Sequence, residues 1–357
     1  MALLNRLRRW GVAPLGWLLG ALGSVGLLAC GTQGSGDPLP NTWPRTALRS
    51  FVLRDTEQPY ALLRLGWDLD QPTVAPRLDD PAEPLLIWGR MSPRQEANHG
   101  VLFRAVVTDL GAAAPPELAL TPEAGWEGAE LSSPTWLPGE GARPPLMFYQ
   151  GGDGSVGLAR LAADGQVQRL TTAAPLLPAA ALGAGRIGRL SVVSVGSTVR
   201  LYYLIDDQHA HFAQLDAEAL TRRAAADSGE LDFQVSAPLL WAADFLVKQT
   251  AVVKVPAERL AGLWVRRVTT PAGRDRFDLY AVASAMTKSV VVSAASYSGG
   301  AIGSTSERFL PVESPALASV SEGTPSSPAM IVYKGQPLML LGLRTVQTGI
   351  AVAVPPS

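Results

Sequence analysis

Few side chains in this sequence have the type and spacing that chemistry requires. Histidine occurs only at His99, His209 and His211. On a strand His209 and His211 share a face, a spacing that metal sites use. No cysteine accompanies them and the neighbouring acids are only Asp206 and Asp207, so a solvated strand pair is expected and no metal site. Asp153, within Gly151-Gly152-Asp153-Gly154, lacks the alternating acids of a calcium loop and reads as a turn. There is neither a Gly-x-Ser-x-Gly elbow nor a P-loop, and no cofactor is expected. Carboxylates are the groups left for acid–base work. They cluster as Asp68, Asp70, Asp79 and Asp80, as Glu127 and Glu130, and as the isolated Asp244 and Glu322.

The chain that must position them has 357 residues, 47% hydrophobic and 17% charged, with 35 Gly, 29 Pro and one Cys. Its apolar share and net charge of -1 exclude intrinsic disorder and supply a sizeable core. One cysteine rules out a disulfide framework or a zinc site built on several thiolates. A near-neutral charge argues against nucleic acid as partner, because phosphate binding needs a clustered basic surface. The 26 Arg against 4 Lys reflect codon composition more than chemistry.

The N-terminus sets Arg6, Arg8 and Arg9 before an apolar run from Trp10 to Ala29, the charge asymmetry of a secretory signal. Leu27-Leu28-Ala29-Cys30-Gly31 resembles a bacterial lipobox, which implies cleavage before Cys30 and acylation of its thiol. Two or more acyl chains hold a protein stably on a membrane. Gly31 and Thr32, with no Asp beside the cysteine, imply by the same resemblance the outer membrane of a Gram-negative cell envelope. The expected organisation is a signal peptide over 1–29, a lipidated Cys30 with a Gly/Ser/Pro-rich tether over 30–48, and one domain over 49–357.

No segment after Ser50 keeps a 3.6-residue apolar period. Short apolar runs recur instead between Gly, Pro and Asp clusters. The clearest unit runs Ser133–Leu137, Leu146–Gln150, Val156–Leu161 and Val167–Leu170, four strands with tight connections. The scheme returns around Trp88, Tyr149, Tyr203, Trp264 and Leu340, each taken as a second strand. Five such units predict an all-β chain: a five-bladed β-propeller of four-stranded antiparallel blades. The last unit is one strand short, so Phe51–Leu53 or Ala61–Leu65 is expected to complete the fifth blade and close the ring.

The unit Ser133-Pro134-Thr135-Trp136, Leu146–Tyr149, Gly154–Ala159 and Asp164-Gly165 resembles a blade of the five-bladed glycosidase propellers of glycoside hydrolase families 43 and 32. That resemblance implies carboxylates from the inner strands of different blades meeting in the channel, two of them flanking a glycosidic bond. Asp70, Glu130 and Glu322 are the candidates it brings forward. Yet the sequence puts acids on connections and gives two blades cations at the channel, Arg189 and Lys248. Arg189, Lys248 and Trp126 are the ligand-binding candidates, Trp126 by stacking on a sugar. The sequence therefore favours a non-catalytic lipoprotein that binds a glycan or an envelope protein. A glycosidase on plant or microbial polysaccharide is the alternative, and an envelope assembly scaffold the second.

Overall fold

Runs rich in β-branched and aromatic residues fold as strands, and the Gly, Pro and Asp clusters between them fold as turns. The computed structural model describes residues 52–53 and 60–354, apart from 76–84, 109–114, 142, 163–165, 184, 227–230, 271, 301, 303–308, 313–322, 334–335 and 346–347. The signal segment, Cys30, the tether, Asp79, Asp80 and Glu322 lie outside the described residues.

Two short strands come first, β1 (Val52–Leu53) and β2 (Tyr60–Leu62). Blade 1 follows as β3 (Trp67–Val74), β4 (Leu85–Pro93), β5 (Val101–Val107) and β6 (Glu117–Leu120). Blade 2 is β7 (Leu131–Leu137), β8 (Leu146–Gly151), β9 (Val156–Leu161) and β10 (Val167–Arg169). After a helical turn, α1 (Ala179–Leu182), blade 3 begins with β11 (Ile187–Val195), β12 (Thr198–Ile205) and β13 (His209–Asp216). Helix α2 (Ala217–Ala226) leads to its split outer strand, β14 (Phe233–Val235) and β15 (Leu240–Trp241), both paired with β13. A hairpin of β16 (Leu246–Lys248) and β17 (Lys254–Pro256) precedes blade 4: β18 (Arg259–Thr269), β19 (Asp275–Ala285), β20 (Lys288–Ser296) and β21 (Leu310–Val312). Blade 5 is β22 (Thr324–Tyr333), β23 (Gln336–Arg344) and β24 (Thr348–Val354).

The inner strands β3, β7, β11, β18 and β22 touch in that order, and β22 returns to β3. The ring is closed by the N-terminal strands. Val52 and Leu53 pair with Val354 and Ala353, and Tyr60 and Leu62 with Ala351 and Ile350. Both segments that the sequence offered for closure supply a piece of this outer strand. They cap a strand edge that would otherwise leave backbone groups bare.

Five apolar clusters fill the five junctions between blades. Along β8, Leu146 and Phe148 pack toward blade 3 while Met147 and Tyr149 pack toward blade 1. Alternate residues thus enter different cores, and neither face meets water. This explains why the strands read as continuous apolar runs instead of alternating ones.

One register expectation is corrected. Trp264 lies on the inner strand β18, and the second strand of blade 4 is β19, whose Tyr280 stands opposite Trp264. The hairpin between blades 3 and 4 causes the slip, because its Val252-Val253 pair imitates a first strand while both residues are exposed.

Deleting residues 44–66 is expected to lower the melting temperature of the whole domain by roughly 10 °C or more, since the outer strand of blade 5 is lost. Calorimetry of the truncated chain checks this, and an unchanged single transition would refute closure by β1 and β2.

Candidate active site

The inner strands of blades 1, 2 and 3 share one irregularity. Each has two residues opposite one on the second strand: Gln71-Pro72, Ser133-Pro134 and Arg189-Leu190. The first residue of each pair is left-handed, with φ of 55° at Gln71, 51° at Ser133 and 59° at Arg189. Non-glycine residues held there cost of order 1–3 kcal/mol each and cluster at functional positions. Here the bulges turn polar side chains toward one end of the ring.

Hydrogen bonds link these bulges from blade to blade. The Gln71 N–H reaches Ser327 Oγ of blade 5 at 2.9 Å. The Ser133 N–H reaches Gln71 Oε1 at 2.5 Å, and the Arg189 N–H reaches Ser133 Oγ at 3.2 Å. Each amide freed by a bulge is received by a side chain of the preceding blade. Gln150 braces the set, its amide donating to the Ile187 carbonyl.

Over the bulges opens a pocket of about 320 Å³, lined by Asp70, Arg90, Glu130, Gln150, Arg189 and Asp207 among others. Along the axis beneath it, residues of all five inner strands leave only about 20 Å³, with Pro72, Pro134, Trp264 and Pro328 in the walls. That is room for about one water.

Asp70 and Glu130 both face this pocket. Asp70 Oδ1 accepts from Ser326 Oγ at 2.7 Å, from the Gln71 N–H at 2.7 Å and from Ser327 Oγ. Its other oxygen faces Arg189 Nη1 at 4.0 Å. Glu130 Oε1 accepts from Arg90 Nε at 2.8 Å, while Arg90 also donates to Ser92 Oγ at 3.1 Å and to the Ala97 carbonyl. Asp70 and Arg90 are cross-strand partners, but the guanidinium nearest the Asp70 carboxylate is that of Arg189, while Arg90 serves Glu130. Arg189 Nη1 is buried with no hydrogen-bond partner among the described residues.

The other candidates fall elsewhere. Lys248 is exposed on the β16–β17 hairpin and Trp126 packs between strands, stacked on Tyr149 with its indole N–H on the Thr171 carbonyl at 3.1 Å; neither lines the pocket. Asp68 pairs with Arg94 at 3.6 Å and Asp244 caps the Trp241 N–H at 2.7 Å. Glu127, grouped in the sequence with Glu130, is fully buried; it takes the Tyr149 hydroxyl at 2.8 Å and Arg169 Nε at 3.1 Å. Burial, then the Glu127 charge, pushes the Tyr149 pKa up, which keeps it a donor. Asp153 lies at the pocket edge in the turn read from sequence, accepting from the Ser155 N–H and hydroxyl at 2.7 and 2.8 Å. Sequence reasoning missed Arg90, Gln71, Gln150, Ser326 and Ser327. The repeated Ser-Ser-Pro at 132–134 and 326–328, beside Asp70-Gln71-Pro72, was the available signal.

His209 Nδ1 and His211 Nε2 bond each other at 2.8 Å, and His211 Nδ1 meets the Ser236 carbonyl at 3.0 Å. Burial lowers both pKa values below the usual one, with Asp206 opposing it at His209 and Ser236 at His211. No group of three or more metal-ligating side chains occurs among the described residues.

No family model matches this sequence. No curated protein matches it either. Solved structures do match the fold. An endo-arabinase from Bacteroides thetaiotaomicron VPI-5482 superposes with a TM-score of 0.55 at 12% identity, covering 86% of this chain and 98% of that one. The catalytic domain of the Coprinopsis cinerea GH62 alpha-L-arabinofuranosidase gives 0.51 at 11% identity, over 86% and 96% of the two chains. A glycosyl hydrolase from Bacteroides ovatus gives 0.51 at 10% identity, over 87% and 95%. The likeness shows a five-bladed propeller fold. It also overturns the preference for a non-catalytic envelope protein, because the structures similar over nearly their whole length are described as glycoside hydrolases. One element of the family resemblance is not met: where β3 bears Asp70-Gln71, strands β7 and β11 bear Ser132-Ser133 and Gly188-Arg189.

Two outcomes follow for folding. Ser133→Ala removes the acceptor of the Arg189 amide and should cost about 1–3 kcal/mol, visible as a lower denaturant midpoint. The depressed histidines bind protons more readily in the unfolded chain, so their contribution is full above about pH 6.5 and fades as pH falls toward their folded values. Melting temperature should therefore drop between pH 7 and 5, and His211→Gln should flatten that slope.

Proposed function

We propose that the protein is a glycoside hydrolase of the five-bladed propeller type acting on a plant or microbial polysaccharide, with Asp70 and Glu130 as its two carboxyl groups. The observation that supports this is their convergence on one open pocket, each anchored by a separate set of donors. Glycosidic cleavage needs one carboxyl to protonate the leaving oxygen and another to activate water or attack the anomeric carbon. Asp70, with one oxygen fixed by two serines and an amide, suits the base or nucleophile. Glu130 suits the proton donor once an entering substrate exchanges its glycosidic oxygen for the Arg90 bond. The Glu130 proton passes to the leaving oxygen as the glycosidic bond breaks, and water adds its hydroxyl at the anomeric carbon. The proton that water gives up is taken by a carboxylate and returned through solvent to Glu130. Arg189, which lines the pocket with its Nη1 4.0 Å from Asp70, sets a positive charge beside that carboxylate.

We propose with it the address that the sequence suggests: export, acylation of Cys30 and residence at the outer membrane. Metabolic labelling with a palmitate analogue, lost in Cys30→Ser, tests the anchor.

The activity test uses arabinan, 4-nitrophenyl α-L-arabinofuranoside and a panel of xylo-, fructo- and galactosides. Release of reducing sugar or nitrophenol is expected, falling on the order of a thousandfold in kcat in Asp70→Asn and in Glu130→Gln. No turnover across the panel, or turnover that survives both substitutions, would overturn the reading.

A further inference from the structure

Three of the four lysines of the chain, Lys248, Lys254 and Lys288, gather on the β16–β17 hairpin and the adjoining β19–β20 turn, and all three are exposed. Aliphatic side chains stand among them in the open. Val252 is 89% exposed, Met286 72%, Leu246 57% and Val253 45%. Other aliphatics are exposed elsewhere, Leu65, Val106, Leu118, Leu310 and Val332 among them, but here four such side chains stand beside three of the four lysines of an arginine-rich chain.

The hairpin tip is held out by its own bonds. The Gln249 N–H donates to the Val253 carbonyl at 2.8 Å, and the Val253 N–H to Thr250 Oγ1 at 3.1 Å. Gln249 Nε2 reaches the Ala285 carbonyl at 3.2 Å, and Lys288 Nζ donates back to the Gln249 carbonyl. The nearby acids are engaged by backbone: Asp244 takes the Trp241 N–H at 2.7 Å and Glu258 the Met286 N–H at 3.3 Å. Apolar tips are thus presented in fixed geometry with ammonium groups beside them.

We propose that this hairpin and turn form a docking surface for an anionic lipid bilayer. Val252, Val253, Leu246 and Met286 enter the acyl boundary, while the lysines lay their stems along it and keep their charges among the headgroup phosphates. A polysaccharide or a nucleic acid provides no apolar phase for Val252; a bilayer provides both the phase and the negative charge. Lysine fits this task because its flexible stem lets a compact charge follow a fluid surface. The β19–β20 turn is the second-to-third-strand turn of blade 4, as Gly151–Gly154 and Asp207 belong to those of blades 2 and 3 at the pocket. Docking therefore turns the pocket-bearing end of the ring toward the membrane. The proposal is independent of the hydrolase reading.

The test uses the chain from residue 30 with Cys30→Ser, unacylated, whose ring closes within residues 52–354. It is sedimented with phosphatidylcholine vesicles, with and without phosphatidylglycerol. Binding is expected only with phosphatidylglycerol and should weaken with salt. Each lysine near the surface contributes about fivefold, so the triple variant Lys248→Glu, Lys254→Glu and Lys288→Glu should lose on the order of a hundredfold. Val252→Asp with Val253→Asp should lose at least about tenfold while its melting temperature stays unchanged, since both side chains are exposed. Equal binding to both vesicle types, no binding to either, or binding indifferent to both variants would overturn the proposal.

Discussion

The amide of each left-handed residue on the inner strands of blades 1 to 3 is received by a side chain of the blade before it, and the pocket rests on that arrangement. A bulge frees a backbone donor near the axis, where water is scarce. Ser327, Gln71 and Ser133 accept those donors in turn, so every bulge depends on its neighbour for satisfaction. The same bulges bend the strands and aim Asp70 and Arg189 at the mouth of the ring. Because an unpaired buried amide costs more than an ordinary hydrogen bond returns, the irregular backbone persists only while the ring is whole. Closure by β1 and β2 then matters to the site as well as to stability.

The electrostatics follow a similar logic of shared restraint. Arg90, across the strand from Asp70, bonds Glu130, and Arg189 faces Asp70 at 4.0 Å, so each carboxylate has a guanidinium of its own. Ser326 and Ser327 hold Asp70 from the far blade. Four of the five blades thus contribute to a single polar basin. The remaining blade instead bears the lysine-rich hairpin, an outward surface with a different chemistry.

The architecture was legible in the sequence because a propeller repeats itself. Apolar runs cut by Gly, Pro and Asp at a regular interval can bury both faces only against copies of the same unit. The missing strand at the C-terminus announced closure for the same reason. Trp264 misled because an inserted hairpin carries a Val-Val pair that periodicity cannot tell from a buried strand. The site was less legible. Asp70, Glu130 and Arg189 could be named from position, but the two distant serines become neighbours of Asp70 only through ring closure, which sets Ser327 beside Gln71. Glu127 and Glu130 illustrate the limit. They are three residues apart in one loop, yet one is a buried bracket for Tyr149 and Arg169, and the other faces the pocket.

The narrow axis has a bearing on the hydrolase proposed above. Prolines and Trp264 wall a space of about 20 Å³ shared by all five inner strands, room for about one water. A polysaccharide taken by such an enzyme would not pass there as thread passes through a bead; it would lie across the opening, or dip a terminus or side branch inside and withdraw it the same way.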